Sequence, residues 1–402
     1  MSQHVRPESG GRSHELFDTT LIKILMSEVN FQSGESKAPR KGVRSLKIII
    51  AGGGTGGHIF PAIAIANALK AIDKDIEILF VGAKGKMEME KVPQAGYKIQ
   101  GLDIAGFNRS SLIKNIGLPL KLIRSFLQVR SIFKEFKPDA AIGVGGYSSY
   151  PVLRSAQASR IPSFIHESNS FAGRSNIMLG KKATRIFTGT DGMEKFFPKE
   201  KIVVTGNPVR ESIARSTVTQ SEGKEFFSLD QARKAILVVG GSLGAKSINE
   251  AVDIHLDELL NAGLQLIWQT GNTYQPKATA TKNVWINSFI NQMDKAYAAA
   301  DIVVARAGAM TVAELCVAKK PVLFVPYPFA AEDHQTVNAQ QLVNKSAALM
   351  VKDSEARDKI VPMIIELAKD ENKLTELTKN IGALAIKDAD KKIANEIFKS
   401  IQ

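Results

Sequence analysis

Two glycine-rich loops constrain this chain most, because each stands between an apolar, strand-like run and a helix-like one. The first reads Ile48-Ile49-Ile50-Ala51-Gly52-Gly53-Gly54-Thr55-Gly56-Gly57-His58, and the second Ile236-Leu237-Val238-Val239-Gly240-Gly241-Ser242-Leu243-Gly244-Ala245. A strand, a tight turn and a helix N-terminus gather unpaired N–H groups at the positive end of the helix dipole, and both favour an anion. One such turn is common in α/β proteins. Two of them, roughly 190 residues apart, predict two similar halves facing across a cleft.

The rest of the chain fits that expectation. Its 402 residues suit two or three domains with sizeable cores, and a single cysteine, Cys316, leaves no internal disulfide framework. The net charge of +13 predicts an anionic partner. Aromatic residues are few and no zinc-finger or RNA-binding signature occurs, so nucleic acid ranks below phosphorylated ligands and anionic bilayers. No run of about 18 uncharged apolar residues is long enough to span a membrane, and the N-terminus lacks the apolar core of a secretory signal.

From Lys47 onward strands alternate with helices, which implies parallel sheets wound by right-handed crossovers. Lys47–Ala51, Ile76–Val81, Ala140–Val144, Ser163–His166, Arg185–Thr188 and Ile202–Thr205 read as one set of strands. Ala235–Val239, Gln265–Gln269, Asn283–Asn287, Asp301–Ala305 and Val322–Val325 read as a second. The expected divisions are a mostly disordered extension over 1–45, a first domain over 46–209, a polar linker over 210–232 and a second domain over 233–385. A C-terminal helix over 386–402 is expected to return to the first domain.

Several polar residues fall at strand exits, where doubly wound folds place ligands. His58 closes the first loop; a general base and a histidine packed at a helix start are both open there. The spacing is not Gly-x-Gly-x-x-Gly, and no acidic ribose partner ends the second strand, which disfavours a nicotinamide enzyme. A third turn, Gly145-Gly146-Tyr147, is an ordinary strand–helix turn or a phosphate loop for an acceptor. His166-Glu167-Ser168-Asn169 ends another strand. In the second half, Ser242 can donate to phosphate. Ser247 with Glu250 and Thr311 with Glu314 have capping-box spacing. Glu314 has a second role open to it, since a carboxylate suits the vicinal diol of a ribose.

Taken together, Gly-Gly-Thr-Gly-Gly-His at 53–58, His-Glu-x-Asn at 166–169, Gly-Asn-Pro-Val-Arg at 206–210, Gly-Gly-Ser-x-Gly-Ala at 240–245 and Arg-x-Gly-Ala-x-Thr-x-x-Glu at 306–314 resemble one family. It is the bacterial lipid I to lipid II N-acetylglucosaminyltransferases of peptidoglycan synthesis, in glycosyltransferase family 28. The resemblance runs from about Leu46 to the C-terminus. It implies an α/β GT-B fold, two doubly wound Rossmann-like domains across a cleft. It also implies inverting, metal-independent transfer of N-acetylglucosamine from UDP to the C4 hydroxyl of the muramoyl sugar of lipid I. UDP-N-acetylglucosamine is a substrate, and no cofactor is expected.

By the same resemblance the second domain holds the nucleotide: Ser242 at the diphosphate, Ile290 and Ala309, Met310, Thr311 and Val312 at uracil, with Ala313 beside them, Glu314 at the ribose and Gln335 at the donor sugar. Some relatives carry Gln where this chain has His334. Thr55, Gly56, Gly57, Asn169 and Arg210 match donor-binding positions reaching in from the first domain and the hinge. Neither carboxyl pair of the form Asp-x-Asp, at 73–75 and 388–390, lies at a strand end of the nucleotide half. Arg210, Ser242 and helix N-termini are therefore expected to neutralise the leaving diphosphate. Inversion needs one base and no protein nucleophile; His58 is the first candidate and Glu167 the second.

Lipid I sits in the cytoplasmic leaflet, so a cytoplasmic, peripheral attachment to the anionic inner-membrane surface is expected, beside other cell-wall synthesis proteins as further partners. Residues 106–137 carry seven basic side chains against one acid, Glu135, with apolar residues between. Leu112, Ile113, Lys114, Ile116, Lys121 and Arg124 are the expected docking patch; an amphipathic helix packed on the core with a basic edge is the plainer account. The rivals to this function are another GT-B glycolipid glycosyltransferase, a UDP-sugar epimerase and a nucleotide-sugar-binding protein.

Overall fold

The computed structural model of the chain describes residues 45–105, 118–241, 243–330 and 333–401. The extension over 1–44, the patch residues Leu112, Ile113, Lys114 and Ile116, and Ser242 lie outside the described residues.

Residues 45–402 form one compact unit built on two all-parallel sheets. The first contains β1 (Lys47–Ala51), β2 (Glu77–Ala83), β3 (Lys98–Leu102), β4 (Ala140–Gly143), β5 (Ser163–Glu167), β6 (Arg185–Thr188) and β7 (Ile202–Val204), in the order β3-β2-β1-β4-β5-β6-β7. The second contains β8 (Ala235–Val239), β9 (Gln265–Gln269), β10 (Val284–Asn287), β11 (Ile302–Ala305), β12 (Val322–Phe324) and β13 (Leu349–Met350), in the order β10-β9-β8-β11-β12-β13.

Both sheets are covered on two faces, which is why their strands read as unbroken apolar runs. In β1, Ile48 and Ile50 enter one layer while Ile49 and Ala51 enter the other. In β8, Ile236 and Val238 face one side, and Ala235, Leu237 and Val239 the other. Winding reverses between β1 and β4 in the first sheet and between β8 and β11 in the second. A crevice opens at the carboxyl ends of the strands at each reversal, and the two glycine loops leave β1 and β8 there.

The structure departs from the sequence expectations in three places. The edge strands β3 and β13 had no apolar signature: Lys98 is exposed, and Leu349 and Met350 are only half-buried. The segment expected as a polar linker is packed instead. It forms the short helices Glu211–Ala214 and Gln220–Phe226, and it buries Ile213, Phe227 and Leu229 in the core of the second domain. Most of its charged residues face solvent, but Lys224 is buried and donates to the Gln231 and Arg233 carbonyls at 3.2 and 2.7 Å. The Ser247–Glu250 capping box does not form either. Ala245 caps the helix Lys246–Ile254, and the Ser247 hydroxyl goes to Asp353 Oδ1 at 2.5 Å.

The last helix, Ala389–Ile401, crosses back to the first domain. It buries Ile393, Ala394, Ile397 and Phe398 in the layer that holds Ile48 and Ile50.

Candidate active site

The first loop feeds the helix Gly56–Ile72, so His58 sits in its first turn. The His58 Nδ1 lies 3.0 Å from the Gly53 carbonyl oxygen. A carbonyl only accepts, so Nδ1 carries the proton and the neutral ring presents a lone pair at Nε2. Burial pushes the His58 pKa below its usual 6.5; the Gly53 carbonyl and the charges of Glu167 and Glu88 oppose that shift without reversing it. The ring is therefore neutral at pH 7, as a base must be. Gly145 (φ +100°) makes room for it, since a Cβ there would lie 2.7 Å from Nε2. Gly146 likewise accommodates the Gly53 carbonyl. Both turn glycines thus serve packing against the first loop, while Tyr147 is exposed at its rim.

Glu167 lies nearby but is fully engaged. Its Oε1 accepts from the Asn169 backbone N–H at 3.1 Å and from Asn169 Nδ2 at 3.4 Å. Its Oε2 accepts from the Gly173 N–H at 3.0 Å and from Asn176 Nδ2 at 2.9 Å. Four donors on a buried carboxylate describe a residue that shapes a loop. That loop reaches the other domain, where the Ser170 hydroxyl donates to Asn338 Oδ1 at 2.9 Å. His166 is buried beside it, with its pKa pushed down to about 4 by burial first and by His58 second.

Across the cleft stands an ion pair that neither residue's neighbours in sequence announce. Arg210 Nε and Nη2 donate to Glu314 Oε1 and Oε2 at 2.8 and 3.0 Å. Tyr297 donates a third bond to Oε2 at 3.1 Å. The Arg210 guanidinium also lies 4.8 Å from the centre of the Phe60 ring, which belongs to the helix that begins at the first loop. Arg210 therefore touches both domains. Glu314 does not cap its own helix: Gly308 precedes the helix Ala309–Ala318 without a side-chain cap, and Thr311 makes no capping box. Arg210 and Tyr297 thus hold both oxygens of a buried carboxylate.

The other expected donor contacts cluster at the second crevice. Ala309, Met310, Thr311, Val312 and Ala313 form the half-buried first turns of that helix, at the exit of β11. Ile290 is buried, and its N–H is held by Gln269 Oε1 at 2.9 Å. Gln335 accepts from the Tyr327 N–H at 3.0 Å, which leaves its amide N–H groups for a sugar hydroxyl. Thr55, Gly56 and Gly57 line the mouth of the first loop. No group of three or more His, Cys, Asp and Glu side chains among the described residues is placed to hold a metal.

Sequence reasoning missed two residues. Arg306 braces the β11 exit through Asp353 Oδ1 (2.5 Å), the Val325 carbonyl (2.9 Å) and Ser247 Oγ (3.1 Å). Glu88 lies 34 residues beyond Gly54 in the chain yet accepts its N–H at 2.8 Å. An acid among Lys, Met and Glu residues gives no local sign of either partner.

Two doubly wound parallel sheets, each with a glycine loop at its switch point, define the GT-B architecture of glycosyltransferases. Residues 48–188 match the glycosyltransferase family 28 N-terminal domain and residues 235–395 the glycosyltransferase family 28 C-terminal domain. The chain belongs to glycosyltransferase family 28. A relative from Phocaeicola vulgatus, named UDP-N-acetylglucosamine–N-acetylmuramyl-(pentapeptide) pyrophosphoryl-undecaprenol N-acetylglucosamine transferase, is 49% identical over 88% of this chain and 96% of its own length. The crystal structure of Acinetobacter baumannii MurG is 28% identical and superposes with a TM-score of 0.68, covering 89% of this chain and all of that one. A UDP-N-acetylglucosamine 2-epimerase shares the fold alone, at 14% identity and a TM-score of 0.61 over 89% of this chain and 96% of that one.

Proposed function

We propose that the chain transfers N-acetylglucosamine from UDP-N-acetylglucosamine to the C4 hydroxyl of the muramoyl sugar of lipid I, giving lipid II and UDP. The observation that carries the catalytic part is the His58 tautomer, with its Nδ1–H on the Gly53 carbonyl and its Nε2 lone pair free. The acceptor C4 oxygen forms its bond to the anomeric carbon as its proton passes to Nε2. The bond from that carbon to the diphosphate oxygen breaks, and its electron pair leaves with UDP. One displacement inverts the anomeric centre. Glu167 is the weaker base, because four donors already occupy it.

The donor lies on the second domain, with its ribose at Glu314 and its sugar at Gln335. Arg210, Ser242 and the helix N-terminus at Ala309 stabilise the departing diphosphate without a metal. EDTA is therefore expected to leave the rate unchanged.

The enzyme reaches its lipid acceptor through the helix Leu118–Phe136. Ser125, Val129 and Ile132 of that helix are buried, whereas Leu120, Ile123 and Leu127 are 60%, 58% and 62% exposed. These three lie at i, i+3 and i+7, one stripe on the outer face. Lys121, Arg124 and Arg130 are exposed on the same helix. Exposed apolar residues among cations suit an anionic bilayer surface, and none of the described helices is long and apolar enough to cross a membrane.

Incubation with UDP-N-acetylglucosamine and a lipid I analogue tests the function. UDP and the disaccharide product are expected in equal amounts; an epimerised UDP-sugar, or binding without turnover, would reject it.

A further inference from the structure

The first glycine loop does not have the open anion site that its sequence suggests. Glu88 opens the helix Glu88–Gln94, and it is 1% exposed. Its Oε2 takes the Gly54 N–H at 2.8 Å, and its Oε1 takes the Ala83 N–H at 2.9 Å. Two glycines leave the space it needs. A Cβ on Gly53 (φ +155°) would lie 2.2 Å from the Glu88 carboxyl carbon, and one on Gly82 would lie 2.5 Å from its Cγ. The carboxylate thus occupies the place that a phosphate takes in a strand–glycine–helix turn.

We propose that Glu88 is a positioning residue for the His58 base: its carboxylate fills the anion turn of the first loop, sets the Gly53 carbonyl that holds the His58 Nδ1–H, and keeps phosphate out of that turn. The path is short and fully bonded. Glu88 fixes the Gly54 N–H. The peptide that carries this N–H also carries the Gly53 carbonyl, and that carbonyl orients the imidazole. A phosphate brought to the same N–H would meet a buried negative charge, so the phosphates of the acceptor and the donor must bind elsewhere. The charged groups that act on the His58 ring are Glu167 and Glu88, and both favour its protonated form; His58 in turn helps to lower the pKa of the buried His166 beside it.

This proposal rests on His58 as the base, so the test carries a His58→Ala arm. Glu88→Gln keeps the shape but removes the charge and one acceptor. It is expected to lower kcat about tenfold or more through a displaced imidazole, with the donor KM within about twofold. The acid limb of kcat/KM should move to lower pH, because a charge that raises the His58 pKa is gone. Unchanged kcat and an unmoved limb would overturn the proposal; a lowered melting temperature with neither change would also overturn it, as that marks a structural acid only. A separate arm does not depend on His58. With saturating UDP filling the donor side, Glu88→Ala should bind inorganic phosphate at least about tenfold more tightly than the full-length wild type, since no carboxylate then competes for the Gly54 N–H. Equal phosphate binding by a folded Glu88→Ala contradicts the plug, and if that variant does not fold, the Glu88→Gln profile decides. Should His58→Ala keep its turnover, the base assignment falls while the phosphate arm still reports on the plug.

Discussion

The two glycine loops share a sequence pattern and a place in the fold, yet they are held by different chemistry. The loop after β1 is closed by a carboxylate of its own chain and holds a histidine by its carbonyl. The loop after β8 is held by neutral groups. Gln269 Nε2 donates to the Gly241 carbonyl at 3.0 Å, and Thr273 donates to the Leu243 carbonyl at 2.8 Å. Among the described residues no carboxylate takes a hydrogen bond from that second loop. On the proposed reading the same turn serves an anion in one domain and a base in the other, and the side chain behind the loop sets which.

The largest expected effect is at the base. His58→Gln should lower kcat by about 10²–10⁴-fold. In the wild type, kcat/KM should fall on the acid side with a midpoint below 6.5. Burial depresses the His58 pKa, so the neutral base persists to lower pH than a free histidine and is lost only as pH falls through that depressed value. A midpoint at or above 6.5 would speak against a half-buried imidazole as the group observed.

Next comes the pair that spans the cleft. Glu314→Gln removes the charge that Arg210 uses and that, on the proposed reading, a ribose shares. The KM for UDP-N-acetylglucosamine should rise about tenfold or more, with kcat at saturation far less affected. A fall in kcat with unchanged KM would move Glu314 from the donor site to the chemistry. The reversal Lys121→Glu with Arg124→Glu should weaken binding to anionic vesicles by at least about tenfold, at about 1 kcal/mol per charge near the surface, without altering turnover of a water-soluble acceptor analogue. Unchanged flotation with vesicles would remove this helix from the docking surface.

The smallest effect separates the loops by their glycines. Gly145→Ala meets the His58 ring and should lower kcat several-fold. Gly241→Ala has open space around its Cβ and carries only the left-handed strain of φ +86°, about 1–2 kcal/mol of stability. Thermal melts and kcat measured on both variants give the contrast directly.

Much of this was legible because periodicity and turn chemistry are local. The strand β1 and the Gly-rich exits after β1 and β8 stand in patterns a few residues long. The edge strand Lys98–Leu102 was not legible, since its outer face meets solvent and its sequence lacks an apolar run. The segment after Arg210 read as a linker because its few apolar anchors, Ile213 and Phe227, stand far apart among charges. Glu314 had capping spacing with Thr311, and only the fold brings Arg210, 104 residues away, against it. Glu88 was invisible for the same reason: its function lies in a contact with Gly54, and no property of its own segment points there.

The central claim is that donor and base belong to different loops, and isothermal titration of UDP into His58→Ala, read beside its kcat, tests it most directly. The account predicts UDP affinity within about threefold of wild type and kcat lowered by about a hundredfold or more. Near-normal kcat with UDP binding intact, or loss of UDP binding in step with the rate, would contradict it.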